Sequence, residues 1–98
     1  MAQKKVEWSP EAVLSLKEIL DYYSEENGNT KYSQKLTDEL NKLISYIKTH
    51  NLLGKATDGE NTRVLIHYPY KIFYEIKKEL IEIQLIWDSR RNPENLND

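Results

Sequence analysis

Two periodicities divide the chain. Between residues 11 and 49 apolar positions recur every three or four residues, first as Ala12, Val13, Leu16, Ile19, Leu20 and Tyr23, then as Tyr32, Leu36, Leu40, Leu43, Ile44 and Ile47. Such spacing predicts two helices, each with one buried stripe. Between residues 63 and 88 β-branched and aromatic residues dominate three short runs, separated by Tyr68-Pro69 and by Lys77-Lys78-Glu79. These runs predict a three-strand antiparallel meander. Residues 4–8 also alternate, with Val6 and Trp8 on one side and Lys5 and Glu7 on the other, as expected of a short edge strand.

Helix ends are marked by local chemistry. Ser9 can cap free backbone N–H groups, Pro10 occupies a position that needs no N–H partner, and Glu11 suits the positive end of the dipole. Asn27-Gly28 closes the first helix, because glycine accepts the left-handed conformation of a last turn. Asn29 or Thr30 caps the second helix, which is expected to end at about Thr49. So short a connection makes the two helices an antiparallel hairpin whose shared stripe lies on the sheet. Residues 50–60 are expected to be an irregular connector, with Leu52 and Leu53 tucked under the hairpin. The architecture is then α+β, a two-layer β-α-α-β-β-β domain over residues 1–98.

Alternation along the strands also assigns faces. Tyr70, Ile72, Tyr74 and Ile76, then Ile81, Ile83, Leu85 and Trp87, together with Val64, Ile66 and Tyr68, are expected beneath the helices. The opposite face would carry Arg63, Leu65 and His67, then Lys71, Phe73 and Glu75, then Glu82, Gln84, Ile86 and Asp88. A face with Leu65, Phe73 and Ile86 set among charges is a candidate partner-binding surface. Its expected contacts are Leu65, His67, Phe73, Glu75 and Ile86, with Arg90 and Arg91 beside them.

Composition narrows the chemistry. Ninety-eight residues suit one domain with a thin core, and 14 basic against 16 acidic residues give a net charge of −2. So balanced a charge argues against non-specific nucleic-acid binding driven by counterion release, while leaving room for a local basic patch. Cysteine is absent, which removes disulfides and thiolate chemistry. Two distant histidines without clustered carboxylates form no metal-ligand pattern, and three isolated glycines form no phosphate cradle. Neither a metal nor a cofactor is expected. The first residues lack a secretory apolar run and no segment has membrane-spanning length, so a cytoplasmic location without membrane contact is expected. His67 beside a turn and His50 at a helix end read first as solvated and dipole-favoured residues. The several tyrosines read first as packing, Tyr70 and Tyr74 above all. Arg90-Arg91 can grip phosphate, or pair with Asp88, Glu94 or an acidic partner tail.

The order of elements, with Trp8-Ser9-Pro10-Glu11-Ala12, the Leu16, Ile19 and Tyr22-Tyr23 spacing, Leu53-Gly54-Lys55, Arg63, the run 70–76 and the ending Asp88-Ser89-Arg90-Arg91-Asn92-Pro93, resembles the RelE/ParE superfamily of toxin–antitoxin toxins. The resemblance spans nearly the whole chain. It implies a cytoplasmic bacterial toxin held inactive by a small cognate antitoxin whose tail wraps it, and it leaves a homodimer open. RelE-like members cleave mRNA on the translating ribosome with several cations gathered around one phosphate. By position that branch would use Arg63, Lys71 and Arg90 or Arg91. The tyrosine or histidine such nucleases place near the C-terminus has no counterpart after Arg91. ParE-like members, associated with inhibition of DNA gyrase by binding, resemble the chain better in their long, regular hairpin. The ParE-like branch is therefore preferred, with the ribosome-dependent endoribonuclease as the alternative and a decayed or complex-forming toxin as the third class.

Overall fold

The computed structural model describes residues 4–59 and 61–91. The elements run β1 (Lys5–Trp8), α1 (Pro10–Asn27), α2 (Lys31–Thr49), β2 (Lys55–Ala56), β3 (Thr62–His67), β4 (Tyr70–Ile76) and β5 (Leu80–Asp88). Five strands form one sheet in the order β1-β5-β4-β3-β2, with β1 parallel to β5 and the other neighbours antiparallel. The helical hairpin covers one face. Ala12 and Ile19 of α1 and Leu36, Leu40, Ile44 and Ile47 of α2 meet Tyr70, Ile72, Tyr74, Ile81, Ile83 and Ile86 of the sheet in one core. Each such aliphatic side chain contributes about 1.5–3 kcal/mol on burial.

The hairpin begins and turns as its sequence predicts. Ser9 Oγ accepts from the Ala12 N–H at 3.0 Å, Pro10 leads the helix, and Gly28 closes it at φ 70°. Thr30 sits at the cap position of α2 without a side-chain bond, and Asn29 Oδ1 instead accepts from the Lys31 N–H at 3.0 Å. Buried Ser33 fastens the two helices, donating to the Leu20 carbonyl at 2.9 Å and lying 2.9 Å from the Ser24 hydroxyl.

The strands depart from expectation in phase. A two-residue turn at Tyr68-Pro69, whose peptide is cis, pairs His67 with Tyr70, and hence Leu65 with Ile72 and Arg63 with Tyr74. Directly paired residues share a face, so Arg63, Leu65 and His67 lie on the helix side, and Val64 and Ile66 on the other. Ile66 is 50% exposed and Tyr68 78% exposed, not beneath the helices as alternation alone suggested. On β5 the register slips between Phe73 and Tyr74: Tyr74 pairs with Ile83 and Phe73 with Leu85, leaving Gln84 as an extra residue. Downstream of this bulge Ile86 and Asp88 turn into the core at 2% and 1% exposure, and Leu85 and Trp87, expected inside, turn out. α1 covers the β5 edge beyond β1. Ser9 Oγ donates to the Gln84 carbonyl at 3.3 Å, and Ser15 Oγ accepts from the Ile86 N–H at 3.0 Å.

Two smaller expectations also change. Val13 is 54% exposed, because it sits about 100° around the helix from Ala12 and off the stripe that Ala12, Leu16 and Ile19 define. Leu52 and Leu53 do not tuck under the hairpin. They are 68% and 49% exposed, and Gly54 is buried in their stead. The connector bends there because the Tyr74 hydroxyl accepts from the Gly54 N–H at 2.8 Å and donates to the Asn51 carbonyl at 2.7 Å. A Cβ on Gly54 would lie 2.8 Å from the Val64 carbonyl oxygen and 2.9 Å from that hydroxyl, so the close approach requires glycine. The chain then forms β2, pairing Lys55 with Val64 and Ala56 with Arg63 where only irregular structure was expected.

Candidate functional site

The sheet face away from the helices is built from cross-strand rows. Val64, Phe73 and Leu85 lie side by side, as do Ile66, Lys71 and Trp87. Five apolar residues thus surround one ammonium, and none of the six is fully buried. Toward the other end Glu75 pairs across with Glu82, the Glu75 carboxylate accepts from Gln84 Nε2 at 2.9 Å, and Lys77 Nζ lies 3.4 Å from the Glu82 carboxylate. The face is therefore apolar at the turn end and charged at the other. An apolar, half-exposed sheet surface is the kind that a partner covers.

Of the residues expected to bind a partner, Phe73 and Glu75 lie on this face. Leu65 turns inward and packs against the core, and Ile86 is buried. His67 stands exposed beside the turn on the helix side. The two-residue turn removed Leu65 and His67 from the open face, and the β5 bulge removed Ile86. Sequence reasoning missed Val64, Ile66, Leu85 and Trp87 there, although all four are apolar positions at the ends of three-residue apolar runs.

The remaining cations are dispersed. Arg63 Nη1 donates to the Gly54 carbonyl at 2.6 Å and sits 3.5 Å from that of Leu52, so it ties the connector to the sheet. Lys71 is on the opposite face. Arg90 closes a knot at the turn end of the helical hairpin. Its Nη2 donates to the Tyr32 hydroxyl at 2.8 Å and the Tyr70 hydroxyl at 3.0 Å, and its guanidinium carbon lies 4.9 Å from the Tyr23 ring centre. The Tyr32 and Tyr70 hydroxyls are 2.6 Å apart. Asp88 accepts from the Tyr23 hydroxyl at 2.7 Å and from the Arg90 N–H at 2.9 Å. Arg91 covers the Tyr22 ring at 4.8 Å, a cation–π contact. Arg63 pairs with Tyr74 and Arg90 contacts Tyr70, a separation of about 13 Å along the strand. Asn92 to Asp98, including Glu94, lie outside the described residues.

The knot is built for holding. Burial, and then the bond to Asp88, push the Tyr23 hydroxyl up to about 12. Burial followed by the bond to Tyr32 raises Tyr70 far above its ordinary value, and burial raises Tyr74 against the opposing pull of the Gly54 N–H. These hydroxyls stay protonated at neutral pH and serve as hydrogen-bonding groups. The knot could be suspected from Asp88 and Arg90 at the end of a strand, but its tyrosines lie 18 to 67 positions from those two in sequence and are united only by the fold. Among the described residues no group of three or more histidines and carboxylates could hold a metal, and no helix is long and apolar enough to cross a membrane.

A helical hairpin on one face of a mixed five-strand sheet, with the other face open, defines a two-layer toxin fold of the RelE/ParE kind. Residues 6–93 match the profile of the family described as ParE toxin of type II toxin-antitoxin system, parDE, and the chain belongs to that family. Among solved structures, a chain of the chromosomal ParDE TA system from P. aeruginosa superposes with a TM-score of 0.73 at 18% identity, over 88% of this chain and 96% of that one. A chain of the E. coli DinJ-YafQ toxin-antitoxin complex superposes with a TM-score of 0.59 at 10% identity, over 93% of this chain and 98% of that one. At these identities the likeness is one of fold. A search of curated proteins returned no match.

Proposed function

We propose that the protein is the toxin of a bacterial type II toxin–antitoxin pair, acting in the cytoplasm by binding and inhibiting DNA gyrase and neutralised by a small cognate antitoxin. The observation that carries the binding mechanism is the scatter of Arg63, Lys71 and Arg90. A nuclease of this fold needs its cations within hydrogen-bonding reach of one phosphate. Here Arg63 holds backbone carbonyls, Lys71 faces the other side of the sheet, and Arg90 is engaged by the Tyr32 and Tyr70 hydroxyls. Family membership and the ParDE likeness support the toxin reading and an antitoxin partner. The open face around Phe73 and Trp87 is the surface such a partner covers. That burial contributes about 25 cal/mol per Å² of apolar area removed from water.

The test pairs a gyrase supercoiling assay with a translating-ribosome reaction on a defined mRNA whose ends are mapped. Inhibited gyrase with intact mRNA is the expected outcome. Codon-positioned cuts with gyrase unaffected would overturn it in favour of a ribosome-dependent endoribonuclease, and Arg63, Lys71, Arg90 and Arg91 would be the first residues to replace.

A further inference from the structure

The sheet has a second exposed feature, the outer edge of β1, and its sequence is complementary to itself. The Lys5 N–H bonds the Glu79 carbonyl at 3.4 Å and the Ser9 N–H bonds the Ile83 carbonyl at 2.9 Å, so alternate backbone groups from Lys5 onward point at β5. Backbone direction alternates along a strand. The N–H and C=O groups of Val6 and Trp8 therefore point outward from the sheet. Their side chains pack toward the helix layer, and those of Lys5 and Glu7 are exposed on the other side.

We propose that β1 pairs antiparallel with β1 of a second copy about a two-fold axis at Val6, joining two five-strand sheets into one. Backbone pairing and face matching admit this register and its two neighbours, and charge selects among them. Val6 opposite Val6 brings outward backbone groups together as a hydrogen-bonded pair, and Trp8 opposite Lys4 repeats the pattern. Each side chain then meets one of its own face, with Val6 against Val6 and Trp8 against Lys4 on the helix side. Lys5 of each copy stands opposite Glu7 of the other. The neighbouring registers that preserve the faces place Lys5 against Lys5 or Glu7 against Glu7, and like charges directly opposite oppose pairing. A lysine on an edge strand normally repels a second strand, but Glu7 two residues on converts that repulsion to attraction in one register.

The interface is isologous and closes on itself.

Sedimentation velocity of the full chain over a range of micromolar concentrations tests this. The expected result is a monomer–dimer equilibrium that Lys5→Glu weakens about tenfold or more by facing two pairs of like charges. The double exchange Lys5→Glu with Glu7→Lys should restore dimerisation to near its original strength. Val6→Pro removes an outward N–H without touching the β1–β5 ladder, a substitution edge strands tolerate, and should abolish the dimer while circular dichroism stays unchanged. A chain that remains monomeric throughout overturns the proposal, as does a dimer indifferent to both Lys5→Glu and Val6→Pro.

Discussion

The two faces of the β3–β4–β5 meander are made of nearly the same residue types, yet they meet opposite fates. On the helix side Ile72, Tyr74, Ile81, Ile83 and Ile86 are at most 2% exposed, and the one buried carboxylate there, Asp88, has a tyrosine hydroxyl and a backbone N–H as partners. On the open side Val64, Ile66, Phe73, Leu85 and Trp87 are equally apolar, but nothing in the chain's described residues packs over them as a layer, and Lys71 stands among them. Hydrophobicity alone does not separate core from interface. What separates them is whether another element of the same chain supplies the cover, and whether each polar group inside is satisfied.

The sharpest way to break this comparison is a matched pair of truncations. Ile72→Ala should cost about 2–5 kcal/mol in urea unfolding, as expected for a fully buried aliphatic side chain, and Ile66→Ala on the adjacent strand should cost under about 1 kcal/mol. Equal losses would show that the second face is also covered within the monomer. Next in size, Gly54→Ala should destabilise by about 1–3 kcal/mol, because the added methyl meets backbone on one side and the Tyr74 hydroxyl on the other. Chemical denaturation measures it, and a neutral result would mean that the connector is not pinned to the helix-side layer. A double-mutant cycle of Tyr23→Phe and Asp88→Ala should give a coupling of about 0.5–3 kcal/mol, as expected for direct hydrogen-bond partners; strict additivity would dissolve the knot as a unit. The smallest effect is in alkali. Tyr23 ionises near 10 when unfolded and at about 12 when folded, so its contribution is fully present below pH 10 and fades as pH rises through 12. Denaturant titrations should show a stability plateau up to pH 10 and a decline above it, shallower in Tyr23→Phe.

The element ends were legible because each rests on chemistry within a few residues. Ser9-Pro10-Glu11 starts α1, Gly28 closes it, and α2 ends at Thr49 as its spacing predicts. Faces were legible on β4, where Tyr70, Ile72 and Tyr74 alternate with Lys71, Phe73 and Glu75. They were not on β3 and late β5, where Val64-Leu65-Ile66 and Leu85-Ile86-Trp87 are apolar at consecutive positions. A period-two pattern has no phase in such a run.

The candidate site was legible only where phase was. Phe73, Lys71 and Glu75 were correctly placed on the open face; Leu65, His67 and Ile86 were not. A two-residue turn and one bulged residue, Gln84, decided the difference by shifting pairing by a single position. Sequence by itself therefore determined the number, kind and ends of the two helices and four of the strands, since caps, helical periodicity and β-propensity act over short range. The tertiary structure alone decided which apolar residues became core and which became surface, and gathered Tyr23, Tyr32, Tyr70, Asp88 and Arg90 into one knot. Register and long-range side-chain contacts depend on how strands pair in three dimensions, which no local pattern encodes.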